Sequence, residues 1–270
     1  MRVLSWNLFH GRDAPPDPEL ATWRSRVLGV EERGTTHAQV NRSLLEAFAA
    51  VLARERWDVA MLQEVPPRWL RALCRATGAH GASALTSRNL GAGARGWLAD
   101  RRPDLLASWE GGSNQVLVRG GWRIDRVRRL TLVHRPERRR LLWTALRGPG
   151  DRELAVANLH ASVSPRHPER DVLRAADHAV GWAGARPLVF GGDLNARPAV
   201  SPELFEHLVR RAGLAPPTAP DSVDHVLGRG LALLEAPRLL APERREIEGS
   251  GSRRLRLSDH AIVTARFGVR

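Results

Sequence analysis

The richest chemistry in the chain lies in Gly191-Gly192-Asp193-Leu194-Asn195, directly after the apolar run Leu188-Val189-Phe190. A short apolar run ending in glycines reads as a buried strand, with Gly191 and Gly192 turning the backbone sharply at its end. Asp193 and Asn195 stand two apart, so if strand geometry persists both side chains point to one face. A carboxylate beside a carboxamide can handle a proton, a coordinated water or a phosphate oxygen. The same residues also make turns in which short polar side chains bond their own backbone, so this stretch alone leaves both readings open.

Polar residues just past a short apolar strand recur along the chain. Asn7 follows Val3-Leu4-Ser5-Trp6, Glu64 follows Trp57 to Gln63, and His160 closes Glu153 to Leu159. Asp224 and His225 sit in the run Ser222 to Leu227, and Asp259-His260 leads into the closing strand Ala261 to Phe267. Each has a plain alternative: Asn7 as a turn former, Glu64 as a solvated loop acid, His160 as a hydrogen-bonded structural histidine. An ionised Asp224 between apolar residues requires a partner, because an unpaired buried charge is costly.

Cys74 is the single cysteine in 270 residues, which excludes an intrachain disulfide and a cysteine-based metal site. Any ion must be held by Asp, Glu, Asn and His, donors that suit magnesium, calcium or manganese. The formal charge is +13, and all 42 basic residues are Arg. Such a surface concentrates polyanions. The missing Lys and Tyr and the abundance of Ala, Gly and Leu equally suit a genome-wide compositional bias. No apolar run approaches bilayer length, and Met1 enters a strand with no apolar leader, so the expectation is a cytoplasmic protein, monomeric by default.

These residues need elements to hold them. Helical spacing marks Gln39 to Arg56, Trp69 to Ala76, His167 to Trp182 and Glu203 to Ala212. Further strands are expected at Asn114 to Val118, Arg123 to Val133 and Leu141 to Leu146, while Gly78 to Gly112 has no clear period. The run Glu137-Arg138-Arg139-Arg140 reads as a solvated turn or as a source of a phosphate-binding Arg, and Glu243 to Arg256 as a basic loop. Strands with intervening helices, no internal repeat and no linker argue for one α/β domain over residues 1–270, with sheets in the middle and helices outside.

Taken in order, Trp6-Asn7, Gln63-Glu64, Asn158-Leu159-His160, Gly192-Asp193-Leu194-Asn195, Val223-Asp224-His225 and Ser258-Asp259-His260 resemble the endonuclease/exonuclease/phosphatase superfamily across essentially the whole chain. The resemblance implies a deoxyribonuclease I-like, four-layer α/β/β/α sandwich with two packed mixed sheets flanked by helices. It implies hydrolysis of phosphate esters with a divalent cation, usually Mg2+, with Mn2+ or Ca2+ as alternatives. Carried over by position, Asn7, Glu64 and Asp259 match the metal-site residues. Asp193 and Asn195 match the pair beside the attacking water, His260 the catalytic histidine, Asp224 the acid that orients it, and His160 a second histidine. Asn114 and Arg139 fall in segments resembling substrate contacts.

That constellation makes chemical sense. A phosphodiester repels hydroxide, so hydrolysis needs a cation on a non-bridging oxygen and a base for water. Neutral imidazole with a carboxylate behind it is such a base, and His260 with Asp224 fits. The chain departs from abasic-site endonucleases, which place a polar or acidic residue two positions after the first Asn and use an active-site Tyr. Here the text is Asn7-Leu8-Phe9-His10-Gly11, and there is no Tyr. The expectation is a metal-dependent phosphodiesterase with endonuclease-type activity on DNA or RNA. The alternatives are a phosphatase or phosphodiesterase acting on a small phosphorylated metabolite or lipid head group, and a non-catalytic Arg-rich binding module.

Overall fold

The computed structural model describes residues 1–87, 111–135, 137–163, 167–249 and 251–269. Its elements run β1 (Arg2–Asn7), α1 (Trp23–Leu28), β2 (Glu32–Arg33), β3 (Ala38–Gln39), α2 (Leu45–Arg54), β4 (Val59–Val65), α3 (Leu70–Thr77), β5 (His80–Leu85), β6 (Ser113–Val118), β7 (Arg123–Val133) and β8 (Arg139–Arg147). They continue with β9 (Glu153–His160), α4 (Pro168–Ala183), β10 (Leu188–Asp193), α5 (Pro202–Ala212), β11 (Asp224–Arg229), β12 (Ala232–Leu239), β13 (Glu246–Glu248), β14 (Arg254–Arg256) and β15 (Val263–Gly268).

Two mixed sheets carry the fold, one ordered β12-β15-β1-β4-β6-β5 and the other β11-β10-β9-β8-β7. Alternation along the strands explains the layering. Val3, Val59, Met61, Val116, Val156, Val189, Val226 and Ala265 face the opposite sheet and form a valine-rich inner core. Their neighbours Leu4, Trp6, Leu62 and Leu117 face outward onto Phe48, Val51 and Leu52 of α2 and Leu73 of α3. On the second sheet, Leu141, Ala157, Leu159, Leu188 and Phe190 pack on α4 and α5. Helix α4 offers Ala175, Ala176, Ala179 and Ala183, small residues that let it lie close to the sheet. Three apolar layers therefore hold four layers of structure, α/β/β/α. No described helix is long and apolar enough to cross a membrane.

Strand pairs β1/β4 and β9/β10 are parallel, and their C-terminal ends define one mouth of the sandwich. Open α/β sheets present ligand sites at that end, because the loops leaving the strands gather there.

Several boundaries differ from expectation. The helix expected over Gln39 to Arg56 is α2 alone, because Ala38–Gln39 pairs with Glu32–Arg33 instead. Arg139 and Arg140 are not in a solvated turn; they open β8, and Arg139 is buried. The expected basic loop contains the β13/β14 hairpin, and β12 carries no polar/apolar alternation to mark it. Of the stretch Gly78 to Gly112, residues 80–85 form β5 and residues 88–110 lie outside the described residues. Gly191 and Gly192 lie inside β10 rather than in a turn. A Cβ at Gly191 would stand 2.0 Å from the His225 carbonyl oxygen, and one at Gly192 would stand 2.1 Å from that of Leu159.

Candidate active site

Period 2 explains how the sandwich delivers polar groups to its mouth. Asn7 continues the inward face of Val3 and Ser5, His160 that of Val156 and Asn158, and Asp193 that of Val189. Asp193 pairs in register with His160 on one side and Asp224 on the other, so three ionisable residues stand abreast on β9, β10 and β11. Glu64 arrives by a break in the rule. The β4/β6 register shifts between Leu62 and Val65, and Glu64 takes a left-handed φ of 51°. A bulge of this kind re-aims a side chain that alternation would send elsewhere.

The floor beneath them is a buried amide pair. Gln63 Nε2 donates to Asn158 Oδ1 at 2.7 Å, joining the two sheets, and Asn158 Nδ2 donates to the carbonyls of Leu62 and Gln115 at 2.9 and 2.8 Å. Both carbonyls lie where the register shift interrupts the β4/β6 ladder. Asn158 thus satisfies acceptors that would otherwise be buried and unpaired.

Asp193 Oδ2 is the hub. Asn7 Nδ2 donates to it at 3.0 Å, His160 Nε2 stands at 3.4 Å and His260 Nε2 at 3.8 Å. His260 Nδ1 bonds Asp224 Oδ2 at 2.7 Å, which meets the need of Asp224 for a partner. Glu64 lies between two imidazoles, with His160 Nε2 3.7 Å from Oε1 and His10 Nε2 3.3 Å from Oε2. Asp259, whose side chain is 48% exposed, forms the rim, its Oδ1 3.9 Å from His260 Nε2.

Charge states follow from this crowding. Burial, then the neighbouring charge of Asp224, pushes Asp193 up to about 7. Burial acts to lower His260, but the hydrogen bond and charge of Asp224, with Asp193 and Asp259, outweigh it and raise His260 to about 10. His160 is driven well below its ordinary value by burial and then by the Arg139 guanidinium, so it is neutral at pH 7. Burial also lowers His10, against the pull of Glu64.

The loops are built to hold this arrangement. Phe9, His10, Glu64, Asn195 and Ser258 all have left-handed backbone, a strained state for residues with side chains. The Ser258 hydroxyl donates to the Asn7 carbonyl at 2.6 Å and accepts from the His260 N–H at 3.1 Å, tying the last loop to the first strand. Trp69 packs against Gly11, where a Cβ would stand 2.3 Å from the indole ring.

The structure therefore brings together Asn7, Glu64, His160, Asp193, Asp224, Asp259 and His260. Asn195 leaves strand geometry, so its side chain does not share a face with Asp193 by period 2. Its backbone N–H donates to Asp193 Oδ1 at 3.1 Å and its Nδ2 to the Ala161 carbonyl at 3.1 Å. Asp193 thus makes the expected turn-type bond to the backbone and also stands among the clustered polar groups. Asn114 is buried and donates to the Arg140 carbonyl at 2.8 Å, while its Oδ1 has no hydrogen-bond partner among the described residues. Arg139 directs two guanidinium nitrogens at His160 and Glu137. His225 turns outward onto Phe205 and hydrogen-bonds the Ala196 carbonyl and the Thr218 N–H, a structural role. His10 is the site residue that strand-end reasoning missed. It lies in the short 3-10 turn Phe9–Gly11, three residues past Asn7, and only its proximity to Gly11 hints at a special backbone.

The residues fit a divalent cation. Glu64, Asp193, Asp224 and Asp259 gather around His160 and His260, Asp193 is kept partly protonated by burial and then by the charge of Asp224, and a buried Asp224 Oδ1 has no hydrogen-bond partner among the described residues. Ligand atoms of Asp193, Asp224 and His260 lie within 4.8 Å of one another.

A family model described as the endonuclease/exonuclease/phosphatase family matches residues 4–260. Among solved structures, a Bacteroides thetaiotaomicron mannosyl-6-phosphatase superposes with a TM-score of 0.65 at 13% identity, covering 99% of each chain. The human Nocturnin catalytic domain gives 0.65 at 15% identity, over 100% of this chain and 93% of that one. Truncated Caenorhabditis elegans TDP2 gives 0.57 at 16% identity, over 98% and 96%. No curated protein sequence matches the chain.

Proposed function

The chain belongs to the endonuclease/exonuclease/phosphatase family, and from that premise we propose that it is a divalent-metal-dependent phosphodiesterase acting on nucleic acid. The observation that carries the reading is the convergence of Asn7, His160 and His260 on Asp193 Oδ2, with Glu64 opposite. Such a site offers neutral and cationic donors for phosphate oxygens beside carboxylates for a cation.

Glu64 would be the principal metal ligand, with Asn7 and Asp259 beside it. The Asp193, Asp224 and His260 atoms are close enough to bind an ion, but Asp224 and His260 already bond each other at 2.7 Å, and ligation would sacrifice that bond. Bound there, Mg2+ would place positive charge on a non-bridging oxygen and offset the field of the surrounding carboxylates. In that field alone His260 holds its proton at pH 7, and its Nε2–H would be available to a phosphate oxygen. With the carboxylates neutralised, Nε2 can accept a proton from the attacking water, while Asp224 keeps Nδ1–H in place. Asn195 lies on the loop beside Asp193, where its amide can orient the same water.

Support for an anionic polymer comes from the flank of the site. After burial, the charges of Arg138 and Arg129 lower Arg140 further, which marks three clustered guanidiniums on β7, just before β8 and at its start. Such a cluster suits phosphates on either side of the one being cleaved.

The test is hydrolysis of plasmid DNA, bis-p-nitrophenyl phosphate and p-nitrophenyl phosphate, each with Mg2+, Mn2+ or EDTA. Metal-dependent nicking that is lost in His260→Ala is the expected result. Cleavage of small esters with plasmid intact would keep the site and reject the nucleic-acid substrate, moving the search to phosphorylated metabolites and lipid head groups. Inertness on all three would reject the reading.

A further inference from the structure

Arg139 is 5% exposed, an unusual place for a residue expected to meet a polyanion from solvent. Its NH1 lies 2.9 Å from His160 Nδ1, and its NH2 donates to Glu137 Oε2 at 2.7 Å. Glu137 Oε1 accepts from the Ser87 hydroxyl at 2.6 Å, and the Ser87 N–H donates to the Arg138 carbonyl at 3.0 Å. The guanidinium is thus braced from behind by an acid that is itself braced.

A guanidinium has donors and no acceptor, and it does not lose its proton in proteins. The 2.9 Å contact therefore requires a lone pair on His160 Nδ1. A neutral imidazole has one N–H, so in this arrangement the proton sits on Nε2. That nitrogen faces Asp193 Oδ2 at 3.4 Å and Glu64 Oε1 at 3.7 Å. The opposite tautomer would set an N–H against the Arg139 N–H and turn a nitrogen lone pair toward two carboxylates.

We propose that Arg139 is a positioning residue: braced by Glu137, it occupies His160 Nδ1 and fixes His160 as the Nε2–H tautomer, aimed between Asp193 and Glu64. The tautomer follows from hydrogen bonding alone, and only its use, donation to a phosphate oxygen, rests on the proposed hydrolase activity. The lock has a second consequence. An Nε2 that carries hydrogen cannot ligate a metal, so His160 is withheld as a nitrogen ligand, which favours oxygen donors of the kind that suit Mg2+.

Long-range proton–nitrogen correlation spectra of metal-free, 15N-histidine-labelled protein test this directly, with the His160 signals identified by their loss in His160→Gln. The expected result is an Nε2–H signature for His160 at neutral pH, lost or averaged in Arg139→Met and retained in Arg139→Lys, which keeps a donor. On bis-p-nitrophenyl phosphate, Arg139→Met is expected to lower kcat at least about 10-fold with KM within about twofold. An Nδ1–H signature in the parent protein, or an unchanged tautomer in Arg139→Met, would overturn the proposal. So would a raised KM with kcat intact, the mark of a direct substrate contact. If Arg139→Met does not fold, the parent and Arg139→Lys spectra still decide the tautomer. If no ester is hydrolysed, the proposed function fails while the spectra still judge the lock.

Discussion

The indole Nε1 of Trp6 donates to the backbone carbonyl of His260 at 3.1 Å, linking residues 254 apart in sequence. Trp6 is fully buried on the outer face of β1, with its ring 5.1 Å from that of Phe48. The helix-facing core and the candidate catalytic histidine are therefore held by one side chain. Trp6→Phe keeps most of the apolar ring but removes the donor. The expected cost is about 1–3 kcal/mol of stability, the range for a buried acceptor left unpaired. Turnover should fall further, by about 10-fold or more, because His260 loses its fixed position. Chemical denaturation and steady-state kinetics on one preparation separate the two effects.

Asp224→Asn tests the pair at His260. The substitution removes the hydrogen bond and charge of Asp224, which do most to raise the histidine to about 10, and leaves Asp193 and Asp259 alone to oppose burial. His260 is expected to titrate far lower, which NMR of the metal-free protein can follow. Turnover should fall by about 10²-fold or more, because Nδ1–H is no longer held against a carboxylate. A His260 that still titrates near 10 in Asp224→Asn would show that another acid sets its charge.

The same shifts fix how the stability of the metal-free protein depends on pH. His260 is raised above its unfolded value, so its contribution is fully present below about 6.5 and is lost as pH rises toward about 10. Asp193 is raised as well, so the folded state also binds its proton more tightly and loses that advantage between about 4 and about 7. Both run in one direction, and above about pH 7 the lowered His10 and His160 no longer oppose them, so the melting temperature in EDTA should be higher at pH 7 than at pH 9. Below about pH 7 a proton on Asp193 also competes with the cation. The rise in melting temperature on adding Mg2+ should therefore be larger at pH 8 than at pH 5.5, and should shrink in Glu64→Gln at both.

Much of this site was legible in the chain because polar residues at strand ends broke an apolar pattern. Asn7, His160 and Asp193 sit where period 2 places them, and Asp224 announced its need for a partner. Glu64 was found by position, but the bulge that aims it leaves no trace in composition. The run Glu137 to Arg140 reads as a solvated turn or a phosphate contact because charge runs usually lie in solvent, whereas here Arg139 pairs with Glu137 and His160 inside the protein. His10 was missed because a histidine in a loop has no period to betray it. The reason for Gly191 and Gly192 was likewise invisible, since close approach of His225 and Leu159 is a tertiary fact.

His10 is open to a test of its own. Its Nε2 lies 3.3 Å from Glu64 Oε2, and its Nδ1 is buried without a hydrogen-bond partner among the described residues. Only Nε2 can usefully carry the proton, which then points at Glu64 and holds the carboxylate from the side opposite His160. His10→Ala should lower the affinity of the protein for Mg2+, and reduce turnover at limiting Mg2+ by about 10-fold with partial recovery at saturating ion, as expected when a ligand's supporting hydrogen bond is lost. Calorimetric titration and a magnesium dependence of rate measure both. Unchanged metal affinity with lowered turnover would instead place His10 against the substrate.

The last prediction concerns the floor. A Cβ at Gly192, besides its 2.1 Å approach to the Leu159 carbonyl oxygen, would stand 2.8 Å from Asn158 Oδ1 and 3.0 Å from Gln63 Nε2, at a φ of 115° that side chains rarely adopt. Gly192→Ala therefore strains the backbone and pushes apart the amide pair that joins the sheets. The expected loss is about 3 kcal/mol or more, from strain and overpacking together. Asn158→Leu acts on the same floor by chemistry instead of volume, leaving the Leu62 and Gln115 carbonyls buried and unpaired, each at about 1–3 kcal/mol. Because both changes strike one network, the double variant should lose less than the sum of the singles. Urea unfolding of the four proteins measures the coupling. Strict additivity would mean that the glycine is needed only for its own backbone and that the amide pair does not depend on it.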